Sequence, residues 1–380
     1  MRIAQITYST KPRGGVVHTL ALSEALAARG HEVEVWTLGR GEDTVFFRDV
    51  DPSVRVRVIP FDGRDGEDVG ERIQRSIETM TEAFSTEADV VHAQDCISAN
   101  AVIAAGYATV RSIHHLDAFT TPRLIECHER AIHEPVARIC VSRAVAHEVA
   151  VEYGYQPTVI PNGVDAARFA AAAEPGGQAK RLRWRGQLGD YVLALGGIEP
   201  RKGSIDLLEA FASLQDTRPG LQLVFGGGDT LFDYRPYRDA FHRRAAELGV
   251  RPLILGTLAD DEVPSLVAAA KALGFVSTKE GFGLAAMEAL AAGVPVVARD
   301  LPVLREVFGD AVTYATDVPG IVAGIERVTG SGPSPDPAVG RRLAASYTWE
   351  AAARAHEEFY RALLAEGGRT DAAVDLVDNR

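Results

Sequence analysis

The chain has 380 residues, 46% of them hydrophobic and 24% charged, a length that suits two domains with ample core. Its net charge of −12 argues against broad binding to nucleic acid or anionic lipid. No run approaches the 18 apolar residues a membrane-spanning helix needs.

Residues 1–165 carry 16 Lys/Arg against 24 Asp/Glu and the remainder 24 against 28, so the acidity sits mainly in the N-terminal half. The opening MRIAQITYST has no basic region followed by a long apolar run, so no signal peptide is expected. Cys96, Cys127 and Cys140 are scattered, with no CxxC pair. They fit buried thiols of a reducing compartment, and a cytoplasmic protein is expected.

In chain order, IAQITY (3–8) reads as a strand, followed by KPRGG and a helical pattern from Val16 to Arg29. Gly30 ends that helix and EVEVWT (32–37) is the next strand. Further strands are expected at 88–93, 109–114 and 137–142, with helices between them. Segments 157–169 and 173–187 hold prolines, glycines and polar residues, a linker composition. From Asp190 the alternation resumes with YVLALGG, a helix from Ser204, LQLVFGGG, a helix to about Leu248, and PLILGTL. KALGFVS, a helix from Leu284 and VPVVA follow, and an amphipathic helix spans residues 349–366. Strand–helix alternation on this scale predicts an α/β protein with two parallel sheets in tandem. The expected division is 1–165 with 349–366, a linker at 166–188, a second domain at 189–348, and a polar tail at 367–380 that frays.

Ligands of open α/β sheets bind beyond the carboxyl ends of the strands, and the unusual clusters of this chain fall there. TKPRGG, HAQD and HHLD follow strands of the first half; GGIEPRKG, GGGD, GTL and STKEGFG follow strands of the second. Residues 280–288, EGFGLAAME, say the most. Glu288 is the only charged side chain in an otherwise apolar helical run and needs hydrogen-bond donors if buried, which the diol of a ribose would supply. A neighbouring Arg or Lys would satisfy it equally. Gly281 and Gly283 allow close approach of a ligand, and the helix start behind them suits a phosphate.

Taken together, GGVVHTLALSEALAARGHEVEVWT, VIPNGVD, GGIEPRKG, EGFGLAAMEALAAGVPVVA, DLPVLREV and YTWE resemble the family 4 retaining glycosyltransferases of the GT-B fold. The KPRGGVVHT opening suggests a particular subfamily. The resemblance implies two Rossmann-like domains facing a cleft, an N-terminal acceptor domain, a C-terminal nucleotide-sugar donor domain and a last helix that crosses back. It also implies hexosyl transfer from a nucleoside diphosphate sugar, with no cofactor and no metal. The paired histidines of HERAIH, His128 and His133, are one residue too far apart for a zinc HExxH motif.

Arg201 and Lys202 lie between Gly197 and Gly203 at a strand-to-helix loop, where a guanidinium fork and an ammonium can clamp a leaving diphosphate. By resemblance Glu280 contacts donor-sugar hydroxyls, His114 faces the donor sugar, and Gly14 and Gly15 approach the diphosphate or sugar. Gly256, Leu258, Phe282 and Leu284 complete the expected donor set. His115 points to the opposite face from His114 if the strand continues. Lys11 and Arg13 are either ligands of an acidic acceptor group or a solvated loop; His18 and Asp95 are further acceptor-side candidates. Two departures from the family pattern stand out: Lys271 replaces a frequent acidic residue, and GGGD precedes the aromatic stretch TLFDYRPY. The competing readings are an epimerase or phosphorylase on the same fold, and a non-catalytic nucleotide-sugar-binding protein.

Overall fold

The structure, a computed structural model, describes residues 1–41, 43–64, 66–117, 119, 121–228, 234–330 and 334–367. The polar tail from residue 368, and residues 229–233 at the start of the aromatic stretch, lie outside them. The chain divides into two compact units, Met1–Gly163 with Trp349–Arg380, and Val164–Thr348.

The first unit runs β1 (Arg2–Ile6), α1 (Gly14–Ala28), β2 (Glu32–Arg40), β3 (Val54–Phe61), α2 (Val69–Ala83), β4 (Val90–Ala93), α3 (Cys96–Ala104), β5 (Thr109–Ile113), α4 (Pro122–His133), β6 (Ala137–Cys140), α5 (Arg143–Tyr153) and β7 (Thr158–Val159). The second runs α6 (Ala166–Ala173), α7 (Gln178–Leu188), β8 (Asp190–Leu195), α8 (Ser204–Leu214), β9 (Leu221–Gly226), α9 (Arg235–Glu247), β10 (Leu253–Ile254), α10 (Val263–Ala269), β11 (Ala272–Phe275), α11 (Leu284–Ala291), β12 (Val296–Arg299), α12 (Pro302–Phe308), β13 (Thr313–Ala315), α13 (Val318–Thr329) and α14 (Pro337–Ser346). The last helix, α15 (Trp349–Ala365), returns to the first unit.

Both sheets are parallel throughout. Their strand orders are β3-β2-β1-β4-β5-β6-β7 and β10-β9-β8-β11-β12-β13. Each order reverses direction once, between β1 and β4 and between β8 and β11. At such a switch point the loops leaving two adjacent strands diverge and open a crevice.

In the first unit one sheet face packs Ile3, Leu20 and Val35 against Tyr360 and Leu363 of α15, while the other packs Ile6, Leu38 and Val91 against Met80 and Phe84. Strand β1 supplies both faces by alternation, as its pleat requires. Helix α15 lies on α1 and adds polar anchors. The Tyr360 hydroxyl accepts from Gln5 Nε2 at 3.2 Å and lies 2.6 Å from His92 Nδ1. Glu357 accepts from Arg29 Nε at 2.7 Å.

Two stretches differ from their sequence reading. Strand β3 was not among the expected strands, because Arg55 and Arg57 interrupt its apolar residues; it is an edge strand and tolerates charges on one face. The segment 166–188, with the composition of a linker, folds into α6 and α7 and belongs to the second unit. Helix α7 is held by tertiary bonds: Trp184 Nε1 donates to Ser265 Oγ at 3.0 Å, Lys180 pairs with Asp261 at 3.2 Å, and Arg183 pairs with Glu262. Its Gln, Ala, Lys, Arg and Leu residues are good helix formers, which the flanking glycines mask in a composition count. No helix among the described residues is long and apolar enough to cross a membrane.

Candidate active site

In the second unit the loops after β8 and β11 leave paired strands at the switch point and touch one another near their start. Gly196 and Gly197 follow strand β8, a short 3-10 turn spans Pro200–Lys202, and α8 begins at Ser204. Gly203 makes that connection with φ +63°, and a Cβ there would stand 2.4 Å from the Val276 carbonyl oxygen. Only glycine lets the turn press this closely on the β11 loop. Thr278 N–H donates to the Arg201 carbonyl at 2.8 Å and fastens the two loops together.

The contact brings Arg201, Lys202 and Glu280 into one cluster. Lys202 Nζ is 2.7 Å from Glu280 Oε1, and Arg201 Nη1 is 3.3 Å from the same oxygen. Arg201 Nη1 also donates to the Lys279 carbonyl at 3.2 Å. Burial by itself would push the Glu280 carboxyl up, but Lys202, Arg201 and the Ser277 hydroxyl outweigh it and hold the group at about 2. The cluster is therefore two cations around one fixed carboxylate, with a net positive charge. A small cavity beside it is lined by Gly196, Gly197, Lys202, Ser204, Gly274 and Ser277 among others.

Beyond this cluster, Gly283 starts α11 at φ +99°, with Phe308 2.7 Å from where a Cβ would stand. Phe282 is buried and meets the Tyr347 ring edge-on at 5.3 Å, Gly281 is buried, and Leu284 is half-buried. Gly256 takes φ +67° after β10, and its carbonyl accepts from Gly227 N–H at 2.9 Å; Leu258 packs on Gly226. These residues line the carboxyl ends of β9, β10 and β11.

Glu288 lies half-buried on α11 between buried Met287 and Ala289. No hydrogen bond reaches its carboxyl group among the described residues. The nearby Arg168 is committed to Asp260 at 2.7 Å. Burial raises the Glu288 pKa to about 8; Arg168 opposes the rise, while Asp260 and Asp165 add to it. In the unliganded protein the group is therefore mostly protonated at pH 7, with no hydrogen-bond donor facing it among the described residues.

In the first unit His114 follows β5 beneath Gly15, at the start of α1, with ring atoms 3.8 Å from where a Gly15 Cβ would stand. Its Nε2 lies 3.2 Å from Gln94 Oε1. His18 meets the His114 ring edge-on at 4.8 Å and its Nδ1 is 2.8 Å from Asn162 Oδ1. Burial pushes His18 down to about 3 and His114 well below the ordinary histidine value, so both rings are neutral at pH 7. Gly14 is the first residue of α1.

The remaining candidates are held by neighbours. Lys11 pairs with Asp43 at 2.8 Å, and Arg13 Nη1 donates to the Tyr8 hydroxyl at 2.7 Å. Asp95 caps α3 through Ser98 N–H at 2.8 Å and accepts from Tyr8 N–H at 3.0 Å. His115 pairs with Asp117 at 3.2 Å. Sequence reading passed over Ser277, which bonds Glu280, and Glu199, a buried carboxylate 3.0 Å from where a Gly197 Cβ would stand. Glu199 belonged to the quoted GGIEPRKG motif, and its charge beside a proline was the available signal. Among the described residues no group of three His, Cys, Asp or Glu is arranged to hold a metal ion.

Comparison with known proteins gives this arrangement its family. Residues 186–330 match the glycosyl transferases group 1, and residues 12–168 match glycosyltransferase family 4. Against the glycogen synthase of Mycobacterium tuberculosis the chain is 30% identical over 408 aligned positions, 95% of this chain and 94% of that protein. The chain belongs to the family 4 glycosyltransferases. This glycosyltransferase is also 37% identical to O-antigen chain mannosyltransferase B of Escherichia coli over 164 residues, a match that spans 42% of this chain and only 40% of that one. HepE of Anabaena, solved in complex with UDP and glucose, superposes with a TM-score of 0.71 at 20% identity, covering 96% of this chain and 100% of HepE. That likeness shows the GT-B fold.

The unpartnered Glu288 makes stability depend on pH. An acid whose folded pKa lies above its unfolded value binds its proton more tightly in the native state, so its contribution is greatest below the unfolded pKa and is lost as pH rises. Here the window runs from about 4.5 to about 8. Glu288→Gln, which stays neutral, is expected to be more stable than the unmodified glycosyltransferase at pH 8 by about 1–3 kcal/mol, with the gap closing toward pH 4.5. Urea midpoints measured across that range check it.

Proposed function

We propose that this glycosyltransferase moves a sugar from a nucleoside diphosphate donor to an acceptor hydroxyl with retention of the anomeric configuration. The observation that carries the reading is the meeting of Arg201 and Lys202 on Glu280 at the switch point of the second unit. As the bond from the anomeric carbon to the diphosphate breaks, negative charge builds on the leaving oxygens. Two fixed cations in a partly buried site stabilise that charge with little reorganisation. The acceptor oxygen bonds the anomeric carbon on the face the diphosphate leaves, and the acceptor proton passes to a leaving phosphate oxygen. Charges balance without an external base.

The low pKa of Glu280 supports a positioning role. An ionised carboxylate held by two cations is a poor proton donor and a weak nucleophile, but it orients Lys202 and can accept from sugar hydroxyls. Glu288 fits the diol of the donor ribose, which would provide the donors the fold does not. The neutral His114 is proposed to hydrogen-bond the sugar, with Gly14 and Gly15 near it, and the first unit is proposed to take the acceptor. The complex of HepE with UDP and glucose supports a nucleotide-sugar donor here. Because Arg201 and Lys202 supply the positive charge, transfer is proposed to need no metal. A cytoplasmic location is proposed from the three scattered cysteines, which suit a reducing compartment.

A nucleoside diphosphate at 100 times its dissociation constant is expected to stabilise the protein by about 2.7 kcal/mol. Thermal denaturation across a panel of nucleoside diphosphates reads this, and Glu288→Gln should weaken binding of the best one by about 1.5–3 kcal/mol. Equal affinity in the variant would remove the ribose assignment.

Lys202→Ala is expected to lower kcat by roughly 10²–10³, because its interaction strengthens in the transition state. Steady-state kinetics with raised KM and normal kcat would instead make Lys202 a binding residue only.

NMR of the first-formed product, made with EDTA present, should show the donor's anomeric configuration kept and the rate unchanged. An inverted centre contradicts the proposed class, and loss of activity with chelator contradicts metal independence.

A further inference from the structure

The carboxyl edge of the first unit's sheet concentrates positive charge in an otherwise acidic half of the chain. Arg13 follows β1, Arg40 ends β2 and Arg72 sits in the first turn of α2. Arg40 is half-buried, and its Nε and Nη2 are shut off from solvent with no hydrogen-bond partner among the described residues. Its guanidinium lies 5.8 Å from the centre of the Phe61 ring. Burial lowers the Arg40 pKa to about 10, and the charges of Arg13 and Arg72 act in the same direction.

Among the described residues, three carboxylates nearby are already engaged. Glu67 holds Arg75 at 2.6 and 2.9 Å, Asp43 holds Lys11, and Asp95 caps α3. Tyr8 links this cluster to a second buried guanidinium: its hydroxyl accepts from Arg13, and its backbone N–H donates to Asp95. Beside Asp95, Arg111 of β5 is only 8% exposed, and its Nε and Nη1 also have no partner among the described residues. Two arginines therefore hold secluded N–H groups that no described residue satisfies. A buried donor left unmatched is costly, and a buried cation more so.

We propose that Arg13, Arg40 and Arg72 bind a phosphate group of the molecule taken up by the first unit, with Arg111 adding positive potential beneath. This assignment rests on the proposed function only in naming that molecule the acceptor. Guanidinium forks match phosphate oxygens bidentately, and a phosphate monoester's charge of about −1.5 to −2 balances three cations better than a single carboxylate does. None of Arg201, Lys202 and Glu288 belongs to this cluster.

The test measures thermal stabilisation and affinity for inorganic phosphate, with acetate as a monocarboxylate control, in the full-length protein, Arg40→Met, Arg72→Gln and Lys202→Ala. Phosphate should stabilise the unmodified protein and Lys202→Ala alike, and binding should weaken by roughly tenfold to a hundredfold in Arg40→Met and Arg72→Gln. Without phosphate, Arg40→Met should melt at or above the unmodified protein, since an unmatched buried cation is gone; should it fail to fold, Arg72→Gln carries the same comparison. Phosphate binding lost in Lys202→Ala but kept in the two arginine variants, no phosphate binding at all, or acetate binding as tightly as phosphate would each overturn the proposal. Glucose 6-phosphate and vesicles containing phosphatidic acid separate a soluble phosphate from a lipid headgroup. Binding of either that falls in Arg40→Met supports the site, and binding unaffected by it counts against the site. Nucleoside diphosphate stabilisation, read in the same Arg40→Met protein, is expected to stay intact and reports on the donor reading independently.

Discussion

A strand in a parallel sheet cannot turn straight back to its neighbour; the chain must cross over, usually through a helix, before the next strand begins. That constraint places every loop leaving a strand on one edge of each sheet of this protein. The order then reverses between β1 and β4 and again between β8 and β11, and the loops on either side of each reversal diverge. Arg201 and Lys202 on one loop and Glu280 on the next, 78 or 79 residues apart in sequence, meet because their loops leave the paired strands β8 and β11 and are tied together by the Thr278–Arg201 backbone bond. Gly203, pressed on the Val276 carbonyl, sets how closely the two loops approach. A side chain at that position would part the loops and with them the ion cluster.

The core beneath α15 and the sheet edges treat buried polarity differently. Beneath α15 the first unit keeps its histidines neutral. His18, His92 and His356 are all pushed toward the uncharged form by burial, and the Tyr360 hydroxyl ties His92 and Gln5 into the core. Neutral, hydrogen-bonded groups of this kind rigidify a core without the desolvation penalty of a charge. The second unit keeps charges at its sheet edge and balances them incompletely. Glu280 has two cations, whereas Glu288 has no hydrogen-bonding partner among the described residues and a pKa of about 8. Incomplete pairing weakens the unliganded fold and leaves binding capacity for a ligand of matching chemistry. Such local conflict between stability and polarity is expected where a protein meets its substrate.

Much of this architecture was legible in the sequence. Apolar runs bounded by turn residues marked β1, β2, β4 to β6 and most strands of the second unit, because a strand buried on both faces has to be apolar at nearly every position. The exceptions share a cause. Strand β3 lies at an edge and carries arginines, and α6 and α7 are short surface helices whose partners, Asp260, Asp261, Glu262 and Ser265, lie far along the chain. Local composition does not report stabilisation that comes from distant residues.

The sequence by itself determined the α/β class, the two-unit organisation, and which loops carry glycines and charges. It also singled out Arg201, Lys202 and Glu280 in strand-to-helix loops and Glu288 as the one charge in an apolar helix. Only the tertiary structure decided how they are paired. It joined Lys202 to Glu280 and left Glu288 without a donor, made His18 and His114 neutral ring neighbours, and committed Asp95 to capping α3. It also secluded two nitrogens each of Arg40 and Arg111 with no hydrogen-bond partner among the described residues, which no spacing in the sequence foretold. The reason is that a residue's type fixes which interactions it can make, whereas burial and long-range neighbours, set by the whole fold, fix its charge state and which interactions remain open.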